Sequence, residues 1–220
     1  MERHVSLEEI SDGKLYGIND MVRADCGDCE GCFACCSKMG NTILLDPLDI
    51  HRLSEILGKS FEEMIDDKIE LHVVDGMILP NLKMSGTDET CVFLNQEGRC
   101  SIHPARPGIC RLFPLGRYYE GRSFQYFLQV HECKKQNRTK TKVKKWIDTP
   151  NLKQNQEFIA QWHYFLKDLQ KKLEDSGDDS LRQQTVLYVL NQFYVKGYAA
   201  GEFYEQFQER LKSAQKELLY

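Results

Sequence analysis

The sequence predicts an α+β fold in which a small, irregular, cysteine-rich domain is followed by a helical region of about three helices. All nine cysteines lie before residue 134. Short apolar runs broken by turn residues fill that part of the chain, whereas the part after residue 150 is rich in Gln, Lys, Glu and Leu. This change of composition predicts a domain at 1–148 and a helical region at 149–220 packed on it.

The carboxy-terminal region repeats apolar side chains at the spacing of an amphipathic helix. They recur between Phe158 and Leu173, which predicts one long helix with a buried face. A turn at 176–179 precedes a second helix, and two glycines separate that helix from a third at about 202–219. We expect the aromatic side chains of these helices to form a core.

The first domain carries signals for two helices and several hairpins. Asp46 before Pro47 predicts a helix that ends at Gly58. Ser60 and Glu63 have the spacing of a capping box, which predicts a second helix through about residue 70. Turn residues between short apolar runs predict hairpins at Asp75-Gly76, at 95–98 and at Glu120-Gly121.

The cysteines are the most informative residues of the chain. Five fall within eleven residues, from Cys26 to Cys36, and the other four are farther along the chain. The amino terminus is charged and polar, unlike a signal peptide, so the expected location is the cytoplasm, where clustered cysteines usually bind metal or act in catalysis. Nine is also an odd number, which would leave one thiol unpaired in a disulfide scaffold. The sequence therefore favours a metal-binding domain.

Composition argues against membrane and nucleic-acid partners. No apolar run approaches the roughly 18 residues that a membrane-spanning helix needs. Residues 1–133 carry 22 acidic and 13 basic residues, whereas 134–145 carries seven basic residues and no acidic one. Because the acidic body would repel a nucleic-acid backbone, we interpret the basic run as a solvated surface loop that leads into a helix.

The cysteine spacing predicts how thiolates could meet. Cys29, Cys32 and Cys35 are three residues apart, so their thiolates can converge on one centre from a tight loop. Cys91 and Cys100 lie on opposite sides of a predicted turn, which would bring them together. Eight of the cysteines could hold two zinc ions; alternatively, four could hold one iron-sulfur cluster, which would leave the others free or structural.

Histidines and arginines near the later cysteines are further candidates. His103 and His131 lie close to Cys100 and Cys133 and could substitute as ligands. Arg106 and Arg111 bracket Cys110 and could offset thiolate charge or bind a substrate carboxylate. We favour a structural interpretation, in which the arginines donate hydrogen bonds to backbone carbonyls.

The cysteine pattern resembles the CxxCxxCC cysteine-cluster family (YkgJ-type proteins), whose domain is described as chelating zinc or iron. The signature is Cys29-Glu-Gly-Cys32-Phe-Ala-Cys35-Cys36-Ser37, and the resemblance covers roughly residues 26–147. It continues through 46–57, 91–94, 98–103 and 106–114 and closes with Cys133 and 143–147. The resemblance implies eight metal ligands and leaves Cys26 outside the signature: Cys29, Cys32, Cys35, Cys36, Cys91, Cys100, Cys110 and Cys133.

Two functions follow from this resemblance. The first is a protein that chelates zinc or iron, the iron held as a 4Fe-4S cluster in one version, with the carboxy-terminal helices docking a protein partner. Some relatives are linked to methylation of flagellin lysines, so the alternative is an S-adenosylmethionine-dependent lysine N-methyltransferase with a flagellin-like protein substrate. The sequence contains no glycine-rich strand-turn-helix fingerprint for that cofactor, so the alternative rests on analogy.

Overall fold

Short helices and strands alternate through the first two thirds of the protein. The computed structural model describes residues 6–27 and 32–220. Before residue 92 the elements are α1 (Leu7–Ile10), β1 (Ser11–Tyr16), β2 (Met21–Asp25), α2 (Pro47–Leu57), α3 (Phe61–Met64), β3 (Ile69–Val74), β4 (Met77–Leu82), β5 (Met84–Ser85) and β6 (Thr90–Cys91). Then follow α4 (Gly108–Leu112), β7 (Leu115–Glu120), β8 (Ser123–Gln129), β9 (Thr139–Lys142) and α5 (Val143–Ile147).

The last third is helical, as predicted. Its helices are α6 (Leu152–Ser176), α7 (Asp179–Leu190) and α8 (Phe203–Leu218), and a π-helical segment, Asn191–Val195, continues α7. The α+β class predicted from composition is thereby confirmed. No helix among the described residues is long and apolar enough to cross a membrane.

The described strands form four small antiparallel sheets. One has three strands in the order β1, β8, β7, and the others are the pairs β2–β9, β3–β4 and β5–β6. In the three-stranded sheet Gly116 lies opposite Phe127. An ideal Cβ at Gly116 would lie 2.2 Å from Phe127 Cζ, so the aromatic ring occupies the space that a larger residue would fill.

Helix α2 confirms its prediction in detail. The Asp49 amide donates to Asp46 Oδ1 at 2.9 Å, and the Asp46 amide donates to Asp49 Oδ2 at 3.2 Å, which closes a reciprocal capping box. Pro47 occupies the first turn, and Gly58 ends the helix in the left-handed region with φ of 62°. The start and end of this helix are set by local sequence.

The second predicted helix is too long by about six residues. The Ser60 and Glu63 capping box is present, but α3 ends at Met64. Asp66 adopts a φ of 67°, and the Lys68 amide donates to the Met64 carbonyl at 2.9 Å. The chain therefore turns and enters β3 at Ile69, because pairing with β4 places Ile69 and Val74, the two ends of the strand, in the core.

The predicted turns are present. Asp75 and Gly76, with φ of 50° and 78°, join β3 to β4. The β7–β8 turn lies one residue later than predicted, at Gly121 and Arg122. The prediction for 134–145 was incomplete, because its residues 139–142 form β9 on β2 before the chain enters α5.

Two hydrophobic cores hold these elements. The larger joins side chains of α2, β3 and β4 to those of α6, α7 and α8, and the buried Tyr194 hydroxyl donates to the Leu45 carbonyl at 3.2 Å. The smaller core contains Val22, Leu115, Leu128 and Val143, among others. The division at residue 148 remains a prediction from composition, and the larger core draws on residues from both sides of it.

Candidate metal centre

A cavity of about 650 Å³ lies between the cysteine-bearing loops and the strand β7. Residues of both hydrophobic cores line it, including Phe93 and Ile102 from the larger and Leu112 and Leu115 from the smaller. Six of the predicted ligands lie in its wall: Cys32, Cys35, Cys36, Cys91, Cys100 and Cys110. None of the eight cysteines in the described residues forms a disulfide.

A short 3-10 turn carries two of these thiols. It spans Ala34–Cys36, and the Cys36 amide donates to the Phe33 carbonyl at 2.8 Å. Ser37, next in the chain, forms an antiparallel bridge with Thr90. This bridge places the turn beside β6, the strand that ends at Cys91.

The predicted turn at 95–98 brings Cys91 and Cys100 to the same cavity wall. The Asn95 amide donates to the Arg99 carbonyl at 2.8 Å, and Leu94 bridges Cys100. Burial raises the pKa of Cys91, and charge on the nearby Cys100 adds to the shift. Here the sequence argument from turn geometry is confirmed.

Cys110 is positioned by the short helix α4. The Gly108 amide at its start donates to Asp49 Oδ1 at 2.8 Å, and Asp49 is only 3% exposed. The Arg111 guanidinium donates to the backbone carbonyls of Pro104, Arg106 and Asp148. Arg111 is therefore structural, as interpreted from the sequence, and it joins the cysteine helix to the end of α5.

Electrostatics favour the protonated form of four thiols in the absence of a cation. A hydrogen bond with Cys36 and then burial raise the pKa of Cys35 far above its ordinary value. Burial is the main cause that raises the pKa of Cys91, Cys100 and Cys110, and charge on Cys35 adds to the shift of each. These four thiols therefore belong to one electrostatic cluster, and a positive charge placed among them would favour their thiolate forms.

Arg106 supplies some of that positive charge. The Cys36 hydrogen bond and burial raise the pKa of Cys35, burial raises that of Cys100, and the Arg106 charge partly offsets both shifts. The Arg106 guanidinium also donates from Nη1 to His103 Nε2 at 2.6 Å, so this histidine nitrogen already accepts a hydrogen bond. His131 is exposed and does not line the cavity.

The remaining predicted ligands differ from these six. Cys29 lies outside the described residues. Cys133 does not line the cavity, although its neighbour Glu132 does. Within 6–27 and 32–220, no three His, Cys, Asp or Glu side chains form a group that could hold a metal ion. The donor chemistry nevertheless suits zinc or iron, since both are bound by thiolates.

Two residues near the cavity were not singled out from the sequence. Asp49 contacts Gly108, 59 positions away, and Arg117 lines the cavity from β7. For Asp49 the available signal was its capping-box spacing from Asp46. Arg117 has no comparable signal, because its neighbours come from distant parts of the chain.

Comparison with known families assigns most of the cysteine-bearing part of the chain to one family. The model of the CxxCxxCC family, described as a "putative zinc- or iron-chelating domain", matches residues 28–144. That span includes all six cysteines of the cavity wall. Comparisons with curated proteins and with solved structures give no match. Because the family model covers more than half of the 220 residues, the chain belongs to the CxxCxxCC family.

Proposed function

We propose that this protein binds zinc or iron through the thiolates that line the cavity. The observation that carries the proposal is the convergence of six cysteines, from three separate segments, on one cavity wall. Burial raises the pKa of Cys91 and Cys110 and charge on neighbouring thiols adds to it, so bare thiolates are unfavourable there and a bound cation would remove that penalty. Family membership supports the same class of ligand.

The proposed ligands are the six cysteines of the wall together with Cys29 and Cys133, which the resemblance to the family adds. The thiols have to move closer to surround an ion, since no group of three in the described residues holds one as it stands. Binding would therefore draw the 3-10 turn, the β6 loop and α4 together. When bound, zinc would supply a structural cross-link or a Lewis acid, and an iron-sulfur cluster would supply an electron-transfer centre.

The metal is identified by purifying the protein without oxygen and measuring its colour, spectrum, bound metals and acid-labile sulfide. Brown protein with sulfide would support the iron-sulfur version, and colourless protein with stoichiometric zinc would support the zinc version. Protein with neither metal after reconstitution with each would refute the proposal.

Single substitutions test the ligand set. Cys35→Ser and Cys110→Ser should lower metal content and melting temperature together, because metal binding and folding are coupled at such sites. Cys26→Ser is the matched control, since Cys26 lies outside both the signature and the cavity wall. Unchanged metal and melting temperature in both test variants would contradict the assignment. Cys133→Ser decides whether that cysteine belongs to the set.

The alternative function, lysine N-methylation, has its own test. Calorimetric titration with S-adenosylmethionine and an assay of lysine methylation on flagellin decide it, and absence of both binding and transfer would remove it. A cytoplasmic location and a protein partner stay predictions from the sequence.

A further inference from the structure

The strand β7 meets the cavity with its edge rather than with one of its faces. Five consecutive residues of the strand line the cavity, from Leu115 to Tyr119. Successive side chains of a strand point to opposite faces of its sheet, so one face would supply only alternate residues. Strand β8 shows that alternate pattern, because Phe127 and Gln129 line the cavity and Leu128, between them, does not. The backbone of β7 therefore lies along the cavity.

This edge of β7 carries unpaired backbone groups. The strand ends the three-stranded sheet, with β8 on its other side. The Gln129 amide donates to the Pro114 carbonyl at 3.0 Å. Because bonded pairs alternate along an antiparallel ladder, the amides and carbonyls of Arg117 and Tyr119 point away from β8. In the part of the chain that the structure describes, these four groups have no hydrogen-bond partner, whereas the Leu115 carbonyl accepts a bond from the Gln129 side chain.

An extended polypeptide fits such an edge. It presents an amide and a carbonyl on one side at every second residue, about 6.6–6.8 Å apart in a strand. Arg117 and Tyr119 present theirs at the same spacing, so each donor would meet an acceptor. Both residues are only partly exposed, so water reaches their backbone less freely than it reaches an open edge. Backbone groups in such a position favour a partner that bonds them.

The cavity has room for a single strand and not for a second folded molecule. The cysteine-bearing loops form its other wall, and its volume of about 650 Å³ lies within the roughly 300–1,000 Å³ of pockets that hold small ligands. A folded copy of the chain could reach the edge only by inserting one of its own strands between these walls. The walls include Ile43, Phe93, Ile109 and Phe113, so apolar side chains suit the segment that enters.

We propose that the cavity binds an extended, apolar segment of a partner protein, which adds to the edge of β7 as a further strand. The backbone of the segment bonds the amides and carbonyls of Arg117 and Tyr119, across the cavity from the cysteine wall. The inference goes beyond the proposed metal binding and does not rest on it, because the backbone groups of β7 are not metal ligands. With an ion bound, the side chains of the segment would lie beside the metal centre.

The probe is an acetylated and amidated pentapeptide, Ser-Val-Thr-Val-Ser, titrated by calorimetry into the full-length, metal-loaded protein. Methylation of the backbone nitrogens of both valines blocks one edge of the peptide and leaves the other edge able to pair with β7. Methylation of both valines and the threonine blocks both edges. We expect the first derivative to bind within about threefold of the parent peptide. The second should bind at least about fivefold more weakly, since each lost hydrogen bond is worth about a factor of five.

Amide hydrogen exchange locates the bound peptide. At a peptide concentration of ten times Kd, the amides of Arg117 and Tyr119 should exchange about tenfold more slowly, because only the free protein exchanges them. The Tyr118 amide, which already pairs with β8, is the internal reference. Arg117→Pro removes one of the two donors and should weaken peptide binding at least about fivefold. Val73→Pro is the matched control, since it places proline in β3, outside the cavity, at a residue that is 72% exposed.

Equal affinity of the three peptides, or binding of none, would overturn the inference. It would also fall if the amides of Arg117 and Tyr119 were as protected as that of Tyr118 in the free protein, because another segment of the chain would then hold the edge. Protection that grows with protein concentration alone would assign the edge to a second copy and refute a partner segment.

Metal analysis of the same samples separates this inference from the proposed function. Metal-free protein that discriminates among the three peptides in the same way would leave the docking edge standing even if neither zinc nor iron bound. Fully metal-loaded protein that does not discriminate among them would overturn the docking edge and leave the metal centre untouched.

Discussion

Asp49 is the residue whose substitution best tests how the cysteine helix is held. Asp49→Ala removes the acceptor for the partly buried Gly108 amide, at 2.8 Å, and the acceptor for the Asp46 amide, at 3.2 Å. Leaving a buried amide without a partner costs about 1–3 kcal/mol, and loss of half a capping box adds about 1 kcal/mol. We therefore expect a free energy of unfolding lower by roughly 3 kcal/mol, which corresponds to about 6–12 °C in melting temperature for a chain of this size.

Two further variants isolate the cause. Asp49→Asn keeps an oxygen for the Gly108 amide and removes a carboxylate whose pKa burial raises, so it should cost much less than Asp49→Ala. Ser60→Ala breaks the exposed capping box of α3, so it should cost about 1 kcal/mol.

The assays are urea denaturation followed by circular dichroism and metal content of each purified variant. Asp49→Ala should also lower metal content, because α4 carries Cys110, whereas Ser60→Ala should not. The reasoning would be refuted if Asp49→Ala destabilised the protein no more than Ser60→Ala did.

Two other expectations concern pH and packing. Burial raises the pKa of Cys91, Cys100 and Cys110. Above about pH 8.5 the thiols of the unfolded chain ionise while those of the folded chain stay protonated, so the metal-free protein should lose stability by about 1.4 kcal/mol per pH unit for each thiol. Equal urea midpoints at pH 8 and pH 10 would contradict this. Gly116→Ala should lower the free energy of unfolding by about 1–3 kcal/mol, because the ring of Phe127 has to move. Gly197→Ala is the control and should have little effect, since nothing lies within 4 Å of the added carbon. Equal melting temperatures of the two variants would count against the collision.

Capping residues in the sequence predicted the helix whose first and last residues they determine. Asp46 and Pro47 fix the start of α2, and Gly58 fixes its end. Strands β1 and β2 carried no such signal. Four of the six residues of β1 are exposed, and its partner β8 lies more than a hundred positions away. These strands exist because of tertiary pairing, which a single sequence does not display.

The same distinction applies to the candidate site. Cysteine count and spacing predicted which thiols to examine, and six of them line one cavity. The companion residues Asp49 and Arg117 could not be found in that way, because their roles depend on contacts across the fold. Arg117, for example, lies beside the ring of Phe124 and near the carboxylates of Asp46 and Asp49, which come from a distant part of the chain.

The cavity lies where the two hydrophobic cores meet, and this position explains how a metal could matter to an irregular domain. Cys110 is tied to the larger core through Asp49 of α2, and Arg111 ties the same helix to the end of α5 beside the smaller core. The 3-10 turn, which carries Cys35 and Cys36, contains no buried residue. The loop that carries Cys91 and Cys100 is instead held to the larger core by the buried side chain of Phe93. An ion bound by thiols of all three segments would therefore fasten the turn to elements that the cores already hold, and it would stabilise the wall of the cavity rather than the cores.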